Sequence, residues 1–429
     1  GGINGCCLII SLKLRPALNL LSRFRAGLLF FIVSLHKVNP NHQENTMQLN
    51  KHIVALCIGT FCLGVAELGI VPVLTAIAND FHVTIPQAGL YISAYAAGVC
   101  AGIVGLLAFG RNANLKTTLL IAACLIFCGN LGASLAQNDI MMLAARFVSG
   151  SPHGIFFALS AVVCERLADP GKASRDVTLM VLGQTSANLV GVPLGSLIGF
   201  ALSWRLIFGF IAVLALLLIL ALTRWLPSMP VVKKPLSNEL STLKSWHPWF
   251  ILSGVAIGSA GFYAYYSYVD PIMATVAHMP AASMTLIMFL AGAAMFIGNI
   301  VSAPLTKYYS DVALVCVGQT LIAIAVLGAL FYSDVAWIAL TSMALAAFGY
   351  FFIAGPMQAL IIAGAGDAKV ILAALGQIAY NGANAIGAFL GGEAIRHYGF
   401  ANFSALPGSV LSFISAIVFI SLLLRYPRH

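Results

Sequence analysis

Three ionisable side chains lie inside long apolar segments of this sequence, where charge is costly and proton chemistry is possible. Glu67 lies in the stretch GTFCLGVAELGIVPVL, and Arg146 and His153 lie one heptad apart in RFVSGSPHGIFF. Ionisable residues within apolar helices by default mark a substrate pathway or a proton relay. A carboxyl can bind and release a proton and His can relay one, whereas Arg keeps its charge and needs an acceptor. We therefore predict a proton-coupling group of Glu67, Arg146 and His153, with Arg146 as a partner of Glu67 directly or through water.

Each of these residues also has a structural interpretation. Glu67 can be a neutral, hydrogen-bonded acid, and Arg146 can belong to a static pair that orients two helices. His153 can be a buried histidine whose ring nitrogens are hydrogen-bonded. Glu393 stands three residues before Arg396, near the end of its apolar run, so we expect these two to pair locally.

A motif of small and amide side chains occurs twice. LGQTSANLVGVPLGSLIG, residues 182–199, and LGQIAYNGANAIGAFLGG, residues 375–392, share Leu-Gly-Gln-x-x-x-Asn at an offset of 193 residues. Small residues let helices approach closely, amides can hydrogen-bond across the contact, and proline bends a helix. The repetition predicts two similar halves that meet at a seam, and ordinary small-residue packing in a membrane bundle is the alternative. The predicted helix-interface residues are Gly183, Gly191, Pro193 and Gly195.

Amide and aromatic side chains near these motifs are candidates for binding a polar solute. Phe262 begins a run with four tyrosines within seven residues, and five rings cannot share one face of a helix. Some rings are expected to face lipid or the membrane interface, and others to line a cavity, where they can stack on a sugar or an aromatic solute. The predicted substrate-cavity residues are Gln184, Asn188, Tyr263, Tyr266, Gln377, Asn381 and Asn384.

The elements that must position these residues are transmembrane helices. The chain has 429 residues, of which 60% are hydrophobic and 8% charged, whereas charged residues make up about 25% of a typical soluble domain. The apolar runs are long enough to cross a bilayer as helices, and the alternation of a membrane barrel is absent. We predict an all-α polytopic membrane protein with twelve spans in two six-helix repeats. Spans 1 to 12 are predicted at residues 52–74, 86–109, 116–136, 139–163, 175–200, 204–225, 248–270, 283–305, 312–332, 335–362, 369–394 and 401–425.

The predicted domain organisation follows the repeat. Residues 47–225 form an N-terminal six-helix bundle and residues 248–429 a C-terminal one, joined by a polar cytoplasmic linker at residues 226–247. Two such repeats imply a central cavity and alternating access by rocking of the halves. Residues 1–46 do not match this pattern, so we interpret Met47 as the natural start and the preceding segment as a non-native or upstream-translated prefix. A signal-like extension is the alternative.

The distribution of basic residues predicts the orientation in the membrane. With the N-terminus inside, fourteen Lys and Arg residues lie on the inner side and two, Arg205 and Arg396, on the outer side. This asymmetry follows the positive-inside rule and predicts that both termini are cytoplasmic. Topology therefore explains the net charge of +9 better than nucleic-acid binding does. The inner residues are Lys51, Arg111, Lys116, Arg166, Lys172, Arg175, Arg224, Lys233, Lys234, Lys244, Lys307, Lys369, Arg425 and Arg428.

Common enzyme signatures are absent from the sequence. There is no GxxxxGKS/T, GxSxG or HExxH motif, and the nine cysteines form no CxxC pair. We therefore predict no catalytic residues, no bound metal and no cofactor. The expected partners are a small-molecule substrate, protons and the lipid bilayer, and the chain is expected to act as a monomer.

The quoted motifs resemble those of a known family. GTFCLGVAELGIVPVL, RFVSGSPHGIFF, ANLVGVPLG and GQIAYNGANAIGAFLGG are similar to the motifs of twelve-span drug:proton antiporters of the major facilitator superfamily, and the likeness runs from Met47 to the C-terminus. More closely, the chain resembles AraJ-type exporters of the bacterial inner membrane, which are associated with arabinose polymers or sugars. The resemblance implies that Glu67 and Arg146 take part in proton coupling. It also implies that the glycines and proline of the span 5 motif shape the interface between the halves.

We expect a proton-coupled secondary active transporter that exports a sugar or another small solute by alternating access. The alternatives are an uncoupled or importing facilitator for a sugar or nucleoside, a multidrug exporter, and a membrane sensor that does not transport. One segment departs from the superfamily pattern. The loop after span 2, GLLAFGRNANLK at residues 105–116, carries two basic residues and no acid. An Asp–Arg latch at the inner gate is therefore not expected here.

Overall fold

The computed structural model describes residues 50–109, 114–169, 173–229, 246–363 and 369–425. Within these ranges the regular structure is helical, and ten helices are long and apolar enough to cross a membrane. Spans 7 and 11 are two further long helices that pack among them. The predicted all-α polytopic fold is therefore confirmed. The proposed prefix and most of the linker lie outside the described residues, so the interpretations of them stay predictions.

The helices begin and end close to the predicted spans. In span order, the α-helical segments are Lys51–Leu68 with Leu74–Phe81, Ile85–Phe109, Leu115–Ser134, Asp139–Gly150 with Pro152–Leu167, Ala173–Ser186 with Val192–Ala201, Arg205–Trp225, Trp246–Tyr266, Met284–Leu305, Asp311–Tyr332, Ala336–Phe352 with Ala354–Ala363, Lys369–Tyr398 and Ala405–Arg425. Polar residues cap some helix starts. Asn138 accepts a hydrogen bond from the Met141 N–H, 2.9 Å, and Ser310 accepts one from the Ala313 N–H, 3.3 Å. These caps satisfy backbone donors that a helix start leaves free, and they fix where spans 4 and 9 begin.

The outside of the bundle is apolar. Ile121, Val213 and Ile417 are 57%, 58% and 64% exposed, on three different helices. Such a surface is stable against lipid tails, while polar backbone groups are satisfied within each helix. Polar side chains that do not lie at helix ends are therefore most informative where they face the interior of the bundle.

Spans 1 and 7 are both interrupted. Span 1 breaks after Leu68, passes through a 3-10 turn at Val71–Val73 and resumes as the helix Leu74–Phe81. Span 7 breaks after Tyr266 and continues into a π-helical turn, Ile272–Val276. Both interruptions contain a proline, which lacks a backbone donor and disfavours a continuous helix. We call the end of the bundle next to residues 225 and 246 the linker end and the opposite end, where both breaks lie, the far end.

Span 5 contains a different irregularity. Its middle is a π-helical segment, Ala187–Gly191, directly before the helix that carries Pro193. A π-helical turn holds more residues than an α-helical turn and shifts the register of the side chains that follow. Side chains after this segment therefore point in directions that differ from those in a continuous α-helix.

The two halves of the chain, spans 1–6 and spans 7–12, pack along two helix pairs. Span 2 lies against span 11, where the Ser93 hydroxyl donates a 2.8 Å hydrogen bond to the Ala385 carbonyl. Span 5 lies against span 8, where a Cβ atom at Gly292 would be 2.3 Å from the Asn188 carbonyl oxygen. Only glycine allows this close backbone approach. Spans 1 and 7 meet between these pairs, at the centre of the seam.

Candidate functional site

Glu67 lies in the last turn of the first helix of span 1 and is bonded from both halves. The Gln184 amide of span 5 donates to one carboxylate oxygen at 3.4 Å, and the Tyr263 hydroxyl of span 7 donates to the other at 3.2 Å. The side chain is half-buried, at the point where the two halves meet. One carboxyl therefore connects spans 1 and 5 of the first half to span 7 of the second.

The aromatic run of span 7 is buried throughout. Tyr263 is 8% exposed, and the other four rings are 2% exposed or less. Phe262 stacks on Tyr350 of span 10 with ring centroids 4.1 Å apart, and on Tyr266 at 4.9 Å. The prediction that some of these rings face lipid or the interface is wrong, because spans 10, 11 and 12 pack around this helix.

Tyr350 extends the polar network of Glu67 into the second half. Its hydroxyl interacts with those of Tyr263 and Ser259. A chain of polar side chains thus runs from Gln184 through Glu67 and the two tyrosines. The sequence analysis missed Tyr350, because its apolar surroundings in AAFGYFF give no signal of a polar partner.

Arg146 is fully buried and binds backbone oxygens rather than Glu67 directly. Its Nη1 donates to the Ala66 carbonyl at 2.6 Å, its Nε donates to the Tyr91 carbonyl at 3.3 Å, and the guanidinium lies 4.3 Å from the Tyr95 ring centroid. The break within span 1 frees the last carbonyls of the helix Lys51–Leu68, and a cation at a helix C-terminus is favourable. The predicted direct pair with Glu67 is therefore not formed, although the two groups interact electrostatically at longer range.

His153 reaches this group through Tyr95. Its Nδ1 lies 2.9 Å from the Tyr95 hydroxyl, which lies 3.4 Å from the Leu63 carbonyl, and its ring stacks on Phe157. The structure thus brings all three predicted proton-coupling residues into one region, with Tyr95 between His153 and Arg146. The signal for Tyr95 was available, because span 2 carries tyrosines four residues apart that share one helix face.

The glycines of the span 5 motif pack within the first half. A Cβ at Gly183 would lie 2.2 Å from the Cys57 carbonyl oxygen of span 1, one at Gly191 would lie 2.5 Å from Val65, and one at Gly195 would lie 3.3 Å from Ile207 of span 6. Pro193 follows the π-helical segment and is buried. The interpretation that these residues shape the interface between halves is therefore wrong for the three glycines. At the seam, span 5 presents its backbone to span 8.

The predicted cavity amides differ in how they are bonded. Gln184 binds Glu67, whereas Asn381 donates to the carbonyl of Gln377 in its own helix at 2.9 Å. Asn188 and Asn384, one from each half, are 5% and 2% exposed, and the side-chain oxygen of each has no hydrogen-bond partner in the structure. Buried polar atoms are usually bonded to protein, water or a ligand, so these two oxygens are available acceptors.

Asp270 is a second buried acid that the sequence analysis missed. It is 7% exposed, and its Oδ2 accepts a 2.7 Å hydrogen bond from the backbone N–H of Thr75, across the seam. Glu393, in contrast, pairs with Arg396 in an exposed position, which confirms the expected local pairing. Asp270 was overlooked because it stands at the very end of its predicted span.

No group of three or more His, Cys, Asp or Glu side chains that could hold a metal occurs in the part of the chain that the structure describes. In the loop after span 2, residues 110–113 lie outside the described residues, and Arg111 is one of them. Lys116 donates from its Nζ to the Thr223 carbonyl at 2.8 Å, within the first half.

The fold and the site define a class of protein. Two six-span halves, broken central helices and a buried ionisable network at the seam are typical of secondary membrane transporters that work by alternating access. Residues 56–392 match the model of the Major Facilitator Superfamily, and the chain belongs to this family. The resemblance seen in the sequence is confirmed. The chain is a multi-pass membrane protein and a transporter of small molecules, and it is not an enzyme.

Curated relatives support this assignment. The chain is 36% identical over 382 residues to "Putative transporter AraJ" of Escherichia coli (strain K12), which covers 89% of this chain and 96% of the relative. It is 26% identical over 393 residues to a "Probable sugar efflux transporter" of Mannheimia succiniciproducens, covering 88% and 94%.

Solved structures share the fold. The D-xylose-proton symporter matches with a TM-score of 0.70 and 14% identity, over 86% of this chain and 96% of the symporter. The nucleoside transporter NupG matches with a TM-score of 0.70 and 14% identity, over 86% and 98%. At this identity, these likenesses show the architecture alone.

Proposed function

We propose that this protein is a proton-coupled exporter of a sugar or another small polar solute. It acts as a monomer in the bacterial inner membrane, with both termini in the cytoplasm and the far end facing outwards. The observation that carries the proposal is the position of Glu67, whose carboxylate is bonded by one donor from each half. The two six-helix bundles are the bodies that rock against each other, and the seam between them holds the substrate.

Protonation of Glu67 changes what this carboxyl can bind. An ionised carboxylate only accepts hydrogen bonds, so it can hold both Gln184 and Tyr263, whereas a protonated carboxyl has one O–H to donate and a weaker attraction for both donors. Gaining or losing a proton therefore alters a bond that joins the halves. Arg146 holds the backbone beside Glu67 in place through its bond to the Ala66 carbonyl, and it keeps a positive charge near the carboxyl.

A polar substrate can compete for the same groups. The free oxygens of Asn188 and Asn384 can accept from hydroxyls, and Gln184 can exchange its bond to Glu67 for one to the solute. The aromatic edge of Tyr263 gives such a site an apolar wall, as sugar-binding sites commonly have. The name of the Mannheimia relative supports a sugar as substrate, and the name of the xylose symporter is compatible with proton coupling on this fold.

The driving force is sufficient for export. One proton that moves through a membrane potential of about 100 mV supplies about 2.3 kcal/mol. At about 1.4 kcal/mol per tenfold change in an equilibrium constant, exchange against one proton sustains a gradient of about fifty-fold. A pH gradient or a second proton would raise this limit.

The test uses energised inside-out membrane vesicles that carry a pH-sensitive dye. Pentoses, short oligosaccharides, nucleosides and amphipathic drugs are added in turn, and proton release from the vesicle interior is recorded. We expect release with at least one sugar, and we expect Glu67→Gln to abolish it, because an amide cannot exchange a proton. Glu393→Gln is the matched control and should retain the response, since its carboxyl pairs with Arg396 away from the seam.

Two outcomes would contradict the proposal. Full proton release by Glu67→Gln at normal membrane abundance would remove Glu67 as the carrier. Sugar flux without any proton movement in the unaltered protein would indicate an uncoupled facilitator instead.

A further inference from the structure

The segment at the break in span 7, residues 267–271, contacts the other half at the far end of the bundle. We call this segment the elbow. Two of its side chains, Tyr268 and Asp270, are 0% and 7% exposed. Neither takes part in the network around Glu67. They therefore need an explanation of their own.

Asp270 caps a helix of the opposite half. The helix Leu74–Phe81 follows Val73, whose side chain cannot accept a hydrogen bond, and no side chain of its own segment caps it. Its second residue, Thr75, donates its backbone N–H to Asp270 Oδ2 at 2.7 Å. A carboxylate is a favoured cap for free N–H groups at a helix start, and its charge suits the positive end of the helix dipole. The cap that the first half lacks is thus supplied by the second.

Tyr268 fills a socket that only glycines can form. Its hydroxyl donates to the Ala388 carbonyl of span 11 at 2.7 Å. A Cβ atom at Gly89 of span 2 would lie 1.9 Å from this hydroxyl oxygen, and one at Gly392 of span 11 would lie 2.5 Å from it. The ring therefore sits between the two halves, next to the Asp270 contact.

We propose that Asp270 is a positioning residue for transport, and that its bond to Thr75 latches the far end of the bundle closed. The bond joins the two halves, so it must break when the far end opens. Opening exposes both the carboxylate and the N–H to water, which compensates part of the loss and makes the latch reversible. Tyr268 seals the same end by shape. The latch rests on the alternating-access part of the proposed function and on neither the substrate nor proton coupling.

The test measures how often the far end is open. In a variant with all native cysteines replaced, Ser93→Cys serves as a reporter, because Ser93 contacts Ala385 across the seam and is half-buried in the closed state. A membrane-impermeant maleimide is applied to intact cells and to inside-out vesicles, and the labelling rate is measured. No substrate or pH gradient is needed, so the result does not depend on the transport assay.

Variants of both partners locate the effect. We expect Asp270→Ala to raise the labelling rate in intact cells about tenfold, because a charge-assisted hydrogen bond is lost. Asp270→Asn keeps an acceptor oxygen and should give a smaller rise. Thr75→Pro removes the backbone donor together with the hydroxyl, in a helical turn that tolerates proline, and should resemble Asp270→Ala. Thr75→Ala keeps the N–H and removes the hydroxyl, which also interacts with Asp270, so it should raise labelling less than Thr75→Pro does.

The double variant completes a double-mutant cycle for the contact between Asp270 and Thr75. Combining Asp270→Ala with Thr75→Pro should raise labelling no more than either change alone, because both remove one bond. Unchanged labelling in both single variants, with normal membrane abundance and thermal unfolding, would overturn the latch. A rise confined to inside-out vesicles would overturn the assignment of the far end to the outside. Loss of proton release with an intact latch response would affect only the proposed function.

Discussion

Spans 1 and 7 are interrupted at the same end of the bundle, but the two interruptions are stabilised by different chemistry. In span 1, the freed carbonyl of Ala66 is bound by the buried guanidinium of Arg146. In span 7, the residues at the break are held by rings and a glycine socket, with Tyr268 at its centre. The first half thus stabilises its break with a cation, and the second stabilises its break with aromatic packing and with the carboxylate of Asp270, which binds Thr75.

This difference shows how a repeated fold can become asymmetric. Both halves need a break to bring polar groups into the seam, because a continuous helix satisfies its own backbone. Once the break is present, any group that satisfies the freed carbonyls is sufficient. The first half uses a cation, which places permanent charge beside Glu67, whereas in the second half the Tyr268 hydroxyl binds span 11 and the Asp270 carboxylate binds the first half.

The largest effect on the difference between the two breaks is expected when the cation Arg146 is removed. Arg146→Ala should destabilise the protein by roughly 3 kcal/mol, since it leaves the Ala66 carbonyl unpaired in a buried site and creates a cavity. Thermal unfolding in detergent measures the change. Arg146→Lys keeps the charge and one donor, so its loss should be smaller. An unfolding midpoint of Arg146→Ala equal to that of the original protein would mean that the span 1 break does not depend on charge.

A second pair of variants tests whether the two halves are packed alike. Gly183→Ala places a methyl 2.2 Å from the Cys57 carbonyl oxygen of span 1, and Gly387→Ala places one 2.4 Å from the Ala260 carbonyl oxygen of span 7. Each should cost about 2 kcal/mol, within the usual range for overpacking. Thermal unfolding again gives the measurement.

Gly355→Ala is the control for this pair, because a Cβ there meets no atom within 4 Å. It should leave the unfolding midpoint within a degree or so of the original. If only one of Gly183→Ala and Gly387→Ala were destabilising, the equivalence of the packing around spans 1 and 7 would be lost.

The smallest expected effect comes from a variant that tests the role of the tyrosines in span 7. Tyr263→Phe keeps the ring contacts but removes one donor to Glu67, and a hydrogen bond of about 1 kcal/mol corresponds to about a fivefold change. We therefore expect substrate-driven proton release to slow about fivefold. Tyr265→Phe is the matched control, because the Tyr265 hydroxyl has no partner in the structure. Equal slowing by both would assign the effect to the ring environment rather than to Glu67.

Much of the fold was readable from the sequence, because long apolar runs and their polar ends define membrane helices. Glu67 and Arg146 were found for a similar reason, since charge in an apolar run is conspicuous. The hydrogen-bond partners of these two side chains were not predicted. Arg146 binds a backbone carbonyl that is free only because span 1 breaks, and side-chain patterns do not show backbone acceptors.

Three further residues illustrate what a pattern in one helix cannot show. The resemblance implied that Gly183 and Gly191 shape the interface between the halves, but both glycines contact span 1. Asp270 binds Thr75, which lies 195 residues earlier. Such a contact depends on the packing of the halves and leaves no local signal.

The bond from Arg146 to the Ala66 carbonyl has a consequence for how this site can change over evolutionary time. Every amino acid carries a main-chain oxygen, so a substitution at position 66 does not remove the acceptor. Selection to keep this hydrogen bond therefore acts on Arg146. A reciprocal exchange of the acid at position 67 and the base at position 146 would not restore the contact, because the two side chains are not its two ends. Compensation for a lost arginine must therefore come from residues that supply a new donor or that make the first helix continuous.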